Sequence, residues 1–388
     1  MSTALDPDRL VAACDDDSVE AGITIRTGLE PLGGDGDPVK PAVYEGGRYQ
    51  HGRRWLGEGA ERAVKEILVI DNEPSQANRL EAGLRLERDA LGLPDIVLDL
   101  SSVGALPAHL PSEISIYQFP HRNADAYLRD AELDGVAFTK TKIGEAIFSA
   151  TAAHADALLA WCPQAPLFGF WQSHLGKKNS QAKKARSWTS EIIGIEPAAD
   201  DIRRLGLKGD PLNLSIPDKV RYNENDLLAG WDLDSTGKKL ADVGHGQVPV
   251  GGDDAAPAGV SFREIVQQAT VSFASLRTVR TAGGSAEARA VLVALGLVAH
   301  VCAFGRSFHL RSGAELRPRS TSWRWLGAAS DAEMEVPDFA EASALLRGCA
   351  TRAEDAGLDV GSKWPENRLT LQPAARLLDA IKKSWPVA

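Results

Sequence analysis

An apolar run that ends on a carboxylate and passes without a linker into a polar helix constrains this chain more than any other feature of its 388 residues. In Glu66-Ile-Leu-Val-Ile-Asp71-Asn-Glu-Pro-Ser75-Gln-Ala-Asn78-Arg79-Leu-Glu81, Ile67 to Ile70 predicts a buried strand and Pro74 suits a first helical turn. Ser75 to Arg88 then carries apolar residues at helical spacing. Such a unit gathers glutamine, asparagine and arginine just past a strand end, a placement that suits gripping a polymer or supporting the turn itself. It is not by itself a catalytic arrangement. Asp71, with Glu73 close by, has the chemistry to hold magnesium. No second acidic cluster stands at a comparable strand end, so a turn or helix-start role is the simpler expectation.

Further strands are expected at Ile96 to Leu100, Leu167 to Trp171 and Phe308 to Leu316, and helices at 75–91, 121–133, 141–161, 261–280, 285–303, 338–356 and 372–384. Their alternation predicts a mixed α/β or α+β protein. Residues 1–60 hold Gly33-Gly34 and Gly46-Gly47 with little helical periodicity, which predicts loops and short edge strands, the ordered core beginning near Arg62. From Asp232 to Gly259 the composition shifts to Gly, Asp, Pro and Lys, the mark of a long insertion or mobile hairpin. One domain over 1–388 is expected, with its core in 61–231 and 260–330 and a helical segment over 331–388.

A formal charge of -10 and a pI near 5.4 argue against a generally cationic surface, so any contact with nucleic acid must come from local basic islands. Two islands stand out. Lys177, Lys178, Lys183, Lys184 and Arg186 fall within ten positions without an acid, flanked by Trp171 and Trp188. Basic groups beside aromatics are what a single strand needs for phosphate neutralisation and base stacking, although both tryptophans are expected to pack rather than stack. The second island runs from Arg306 through Phe308, His309 and Arg311 to Arg324. If 308–316 is one strand, His309 and Arg311 share the face opposite Phe308 and Leu310. In Pro120-His121-Arg122-Asn-Ala-Asp125-Ala-Tyr-Leu-Arg129, the two arginines and Asp125 would share a helix face, either as an ion-pair ladder or with His121 and Arg122 turned toward phosphates.

Several classes are excluded. Cys14, Cys162, Cys302 and Cys349 are far apart and lack zinc spacing, so buried thiols in a reducing cytoplasm are expected, with no metal and no cofactor. Neither Gly57-Glu-Gly59 nor Gly237-Lys238-Lys239 completes a dinucleotide or phosphate loop, and no GxSxG motif occurs. No secretory signal is recognisable in the first residues. The most apolar segment, Ala290 to Ala299, is shorter than the roughly 20 residues a spanning helix needs. A cytoplasmic protein without membrane contact is expected.

Ile70-Asp-Asn-Glu-Pro-Ser-Gln-Ala-Asn-Arg-Leu-Glu81, Pro120-His-Arg-Asn-Ala-Asp-Ala-Tyr-Leu-Arg-Asp130, Phe168-Gly-Phe-Trp-Gln-Ser173, Ser190-Glu-Ile-Ile-Gly194 and Leu310-Arg-Ser312 together resemble the type I-U (also labelled I-G) CRISPR-associated backbone protein, a Cas-seven-like RAMP subunit. The resemblance implies an α+β fold: a modified RRM or ferredoxin-like (RAMP) palm with large helical and loop insertions, the finger and thumb, with 232–259 as candidate thumb. It implies a non-catalytic subunit that polymerises along a CRISPR RNA and supports target DNA recognition. Its partners would be CRISPR RNA, target DNA, other copies of itself and other Cascade subunits. The candidate guide contacts are then Asn78, Arg79, His121, Arg122, Lys177, Lys178, Lys183, Lys184, Arg186, Arg306 and Arg311. Gln172 and Lys208-Gly-Asp-Pro-Leu212 depart from the family pattern. Some related RAMP subunits cut RNA with an aspartate, and Asp71 or Asp125 would be that residue in a metal-dependent ribonuclease.

Overall fold

The computed structural model describes residues 5–104, 106–107, 109–172, 182–199, 206–208, 212, 214, 219–224, 226–245, 248–250 and 258–385. Their centre is an eight-stranded sheet. Gly22–Pro31 lies between Phe262–Ser272 and Ala314–Leu326, and Trp188–Pro197 joins Phe262–Ser272 to Ala63–Asp71. His51–Leu56 closes one edge, Phe308–Arg311 the other, and every neighbouring pair is antiparallel. This is a mixed α/β molecule built on an antiparallel sheet. A second, five-stranded sheet places Asp95–Asp99 parallel to Arg368–Pro373.

The apolar periodicity explains the layering. Along Gly22–Pro31, Ile23 and Ile25 are buried against the helices, together with Trp188, Ala269, Val271 and Trp323. Across them lies the helix Ser285–Phe304, whose residues from Ala290 to Ala299 are all without solvent contact. By length and composition this helix could cross a membrane, with a mean hydropathy of 1.7, yet 78% of that window is buried inside the protein. A helix apolar all round belongs in the middle of a core. Gly296 is what lets it approach the sheet, because a Cβ there would lie 2.5 Å from the Trp188 ring. The helices Pro7–Cys14, Glu73–Leu86 and Phe339–Asp355 pack around it. Farther along the same face a smaller cluster gathers Leu29, Leu68, Ile70, Ile192, Phe262 and Leu316, and the other face carries Ile67, Val69, Ile193, Ile195 and Val266.

Several expected elements differ. The N-terminal region holds a helix and a central strand rather than loops, since Ile23-Thr-Ile25-Arg-Thr27 alternates too briefly to outweigh its glycine-rich surroundings. The expected helix over 261–280 is the strand Phe262–Ser272 followed by the short helix Phe273–Leu276. Its β-branched residues sit in the sheet centre, where tertiary pairing overrides helical spacing. The expected helix over 121–133 breaks into two short turns and a strand, because Arg122 has φ 54° and Asp125 caps a new turn through Tyr127 N. The helix over 141–161 is interrupted between Ser149 and Asp156. Leu167 and Phe168 end a helix, and only Phe170–Trp171 is strand. Residues 308–316 form a hairpin turning at Gly313, not one strand.

Candidate nucleic-acid interface

The residues just past the first strand end turn inward. Asp71 is fully buried and accepts bonds from Ser75 Oγ (2.9 Å), Gln76 Nε2 (2.6 Å) and Arg79 Nε (2.8 Å), all on the helix it precedes. Arg311 Nη2 reaches it from the edge hairpin at 2.8 Å, while Arg311 Nη1 donates to the Ile70 and Lys40 carbonyls. Arg79 also donates to the Leu310 carbonyl at 3.0 Å. Gln76 Oε1 in turn accepts from Ser190 Oγ and Gln267 Nε2. Two guanidinium groups and two neutral donors thus occupy the carboxylate from every side, as a buried charge requires. The helix start belongs to Asn72, whose side chain accepts from Ser75 N. The Ser-Gln-Ala-Asn-Arg element is therefore a clamp that ties strand, helix and edge hairpin together. Only Asn78 of its polar residues faces outward.

One helical turn beyond Leu80's neighbourhood, Glu81 is buried and forked by Arg122 Nε and Nη2 at 2.6 and 2.8 Å. Burial pushes the Glu81 carboxyl above its ordinary range, and the Arg122 guanidinium opposes that shift. The third donor of Arg122 meets the Gly169 carbonyl at 2.9 Å. Gly169 has φ +85°, and a Cβ there would come within 2.8 Å of the Lys184 carbonyl. Glycine alone lets the chain leave the helix Gln164–Phe168 and turn against the Lys183–Lys184 strand.

That turn builds the site. Phe170 pairs with Lys184 and Trp171 with Lys183, so strand alternation sends Phe170 and Lys184 inward, Trp171 and Lys183 outward. Trp171 is 62% exposed, and Lys183 Nζ lies 5.6 Å from its ring centre, within cation–π range. Lys184 Nζ donates to the Ala185 carbonyl, Ser187 Oγ and Ser275 Oγ, and burial pulls its pKa down to about 8. A cavity of about 610 Å³ opens between these residues, His121, Arg122 and Arg186. Among the described residues no carboxylate lines it. Neither Lys183 nor Arg186 makes an ion pair within 4 Å among the described residues, although Arg186 lies close enough to Glu81 to favour its charged form, and Arg186 Nε is buried without a hydrogen bond.

Of the expected contacts, His121, Arg122, Lys183, Lys184 and Arg186 therefore come together in one groove. Within it, Arg122 and Lys184 are bonded internally. Arg79 and Arg311 are held by the single carboxylate of Asp71, and their donors are committed to the clamp. Arg306 is exposed and lines a different cavity. Lys177 and Lys178 lie outside the described residues, as do 246–247 and 251–257 of the expected thumb. The remainder of that stretch contains the end of a two-stranded hairpin, Lys219–Asn223 with Asp226–Asp234, on which Tyr222 faces Trp231. Trp188 packs as expected, at 1% exposure, whereas Trp171 does not. The polar Gln172-Ser173 that follows Trp171 and the lysine run beyond are the sequence signal that could have identified it as exposed.

Asp125 accepts from the His121 and Tyr127 amides and is buried. Neither it nor Asp71 presents an open face to a metal. Among the described residues no group of three or more His, Cys, Asp or Glu side chains could hold one. No curated protein matches the chain. Residues 23–198, a stretch that contains the Asp71 strand, the Glu73–Leu86 helix and every residue lining the groove, match the model of the family described as CRISPR-associated protein GSU0053.

Proposed function

We propose that this chain is a non-catalytic CRISPR RNA-binding backbone subunit of a type I-U Cascade surveillance complex. Copies would lie along the guide, with target DNA and other Cascade subunits as further partners, and base pairing rather than the protein would read sequence. The observation that carries this reading is the groove: an exposed tryptophan beside Lys183 and Arg186, without a lining carboxylate, on a chain of charge -10. A phosphate chain with splayed bases is the ligand such a surface suits. In this reading the large antiparallel sheet serves as a RAMP palm, and the Lys219–Asp234 hairpin with its Tyr222–Trp231 pair as part of the thumb.

The test is co-expression with a guide, followed by ultraviolet cross-linking and peptide mapping. Cross-links at Trp171 and within 183–186, on RNA that co-elutes with the protein, support the proposal. A nucleic-acid-free protein refutes it. Incubation with complementary RNA and magnesium should leave that RNA intact; site-specific cleavage would instead favour a ribonuclease.

A further inference from the structure

The core helix Ser285–Phe304 ends beside a second cavity, of about 470 Å³, a size that takes a small molecule. The helix brings His300 and Phe304 to its wall, and the strand Ala314–Leu326 brings Trp323. Val336, 49% exposed, and Phe339 stand at its rim, where the chain enters the helix Phe339–Asp355. This cavity and the groove share no lining residue.

His300 is 4% exposed and has no hydrogen-bonding partner among the described residues. Its Nδ1 is enclosed, so the polar contact that the ring keeps with the cavity falls to Nε2. Trp188 and Trp323, 6.0 and 5.9 Å away between ring centres, also hold Nε1 enclosed and unpartnered. With two indole N–H groups already lacking acceptors, a proton on Nδ1 would add a third stranded donor. The proton therefore belongs on Nε2, where it offers a donor to whatever occupies the cavity. Burial keeps the ring neutral at pH 7, its pKa lowered to about 4. A neutral donor among aromatic side chains suits an uncharged acceptor, because a carboxylate brought beside it would be buried without a cation. The charged residues of the lining, Glu87, Arg306 and Asp338, hold one more acid than base and do not favour an anion either.

We propose that this cavity binds a small planar aromatic molecule bearing an uncharged carbonyl, whose oxygen accepts from His300 Nε2 while its ring packs against Phe304, Trp323 and Phe339. Aromatic walls favour a flat ring by stacked or edge-on contact, and the single donor fixes which end enters first. The site goes beyond the RNA-binding reading and stands or falls without it.

Fluorine NMR titration of the whole chain tests it with three probes: 4-fluoroacetophenone, its carbonyl-free analogue 1-ethyl-4-fluorobenzene, and 4-fluorobenzoate. The ketone is expected to bind roughly fivefold tighter than the ethyl compound, the gap that one neutral hydrogen bond gives, and the benzoate to bind most weakly. His300→Phe should close the gap between ketone and ethyl compound while both still bind. Val336→Trp, at an exposed rim position, should weaken binding of both and leave RNA binding unchanged. Urea unfolding checks that each variant is folded. A ketone that binds no tighter than the ethyl compound, a gap that survives His300→Phe, or undiminished binding in Val336→Trp overturns the site. Should His300→Phe fail to fold, long-range proton–nitrogen spectra of the wild type decide: a His300 proton on Nε2 whose signal moves with the ketone and not with the ethyl compound is expected, and a proton on Nδ1 refutes the proposal.

Discussion

Trp171 and Lys183 lie side by side, yet their removal should leave different signatures. A base stacked on an aromatic ring contributes about 1–3 kcal/mol, so Trp171→Ala is expected to weaken binding of a single-stranded RNA roughly 5- to 150-fold. The ring carries no charge, and its loss should displace the plot of log affinity against log salt without tilting it. Lys183→Ala with Arg186→Ala removes two phosphate partners. At about 0.7 per phosphate on a single strand, the slope should fall by about 1.4, and the gap from wild type should narrow by about 0.8 log unit between 50 and 200 mM salt. The structure makes the comparison clean, because Trp171 and Lys183 are exposed and their truncation opens no core cavity. Fluorescence anisotropy with a labelled RNA at four or more salt concentrations gives both quantities, and urea unfolding checks that the variants remain folded. An unchanged slope in the double variant, or undiminished affinity in Trp171→Ala, would refute the groove as the contact.

Three further outcomes follow from the interior. Arg122→Leu leaves the Glu81 carboxylate buried and unpaired, and should lower stability to urea by about 3–5 kcal/mol; an unchanged midpoint would mean that the pair does not close this region. Asp71→Ala strands two guanidiniums and should destabilise by a similar amount, so lost RNA binding in that variant should coincide with a lowered unfolding midpoint, and loss without destabilisation would point to a direct role. His300, enclosed by Trp188, Trp323 and Phe304, has its pKa lowered by burial from 6.5 to about 4. The unfolded chain therefore binds a proton that the folded one refuses. Stability is whole above pH 6.5 and falls by up to about 3 kcal/mol as the pH drops toward 4, a loss that His300→Phe should remove.

Much of this architecture was legible where apolar period and length agree. Ser285–Phe304 and Phe339–Asp355 fall within a residue or two of their expected bounds, because one is apolar all round and the other opens on an Asp338–Glu341 capping box. Gly22–Pro31 was not, since a central strand flanked by glycines reads locally as an edge until its partners at 262–272 and 314–326 are known. The site divides in the same way. The lysine run marks itself on an acidic chain, and 183, 184 and 186 do meet His121 and Arg122. Sequence could not show which arginines are already spoken for: Arg79 lies eight residues from Asp71, but Arg311 is 240 away. Nor could it show that alternation beside Gly169 turns Lys183 outward and Lys184 in.

On the proposed reading, that partition of cations is what would let an acidic protein hold an anion. Arginines in the interior are paired where they lie, Arg122 with Glu81, Arg289 with Asp16, and Arg79 and Arg311 sharing the single carboxylate of Asp71. Their hydrogen bonds are committed to holding the fold. Lys183 keeps its charge at the surface with the half-buried Arg186 beside it, and with a screening length of about 8 Å at physiological salt the two would act only on what enters the groove. On that reading the chain's excess of carboxylates would disfavour a strand approaching elsewhere. A uniformly basic surface would attract nucleic acid wherever it approached. Concentrating the attraction in one aromatic-flanked furrow would confine a bound strand to one path across the protein.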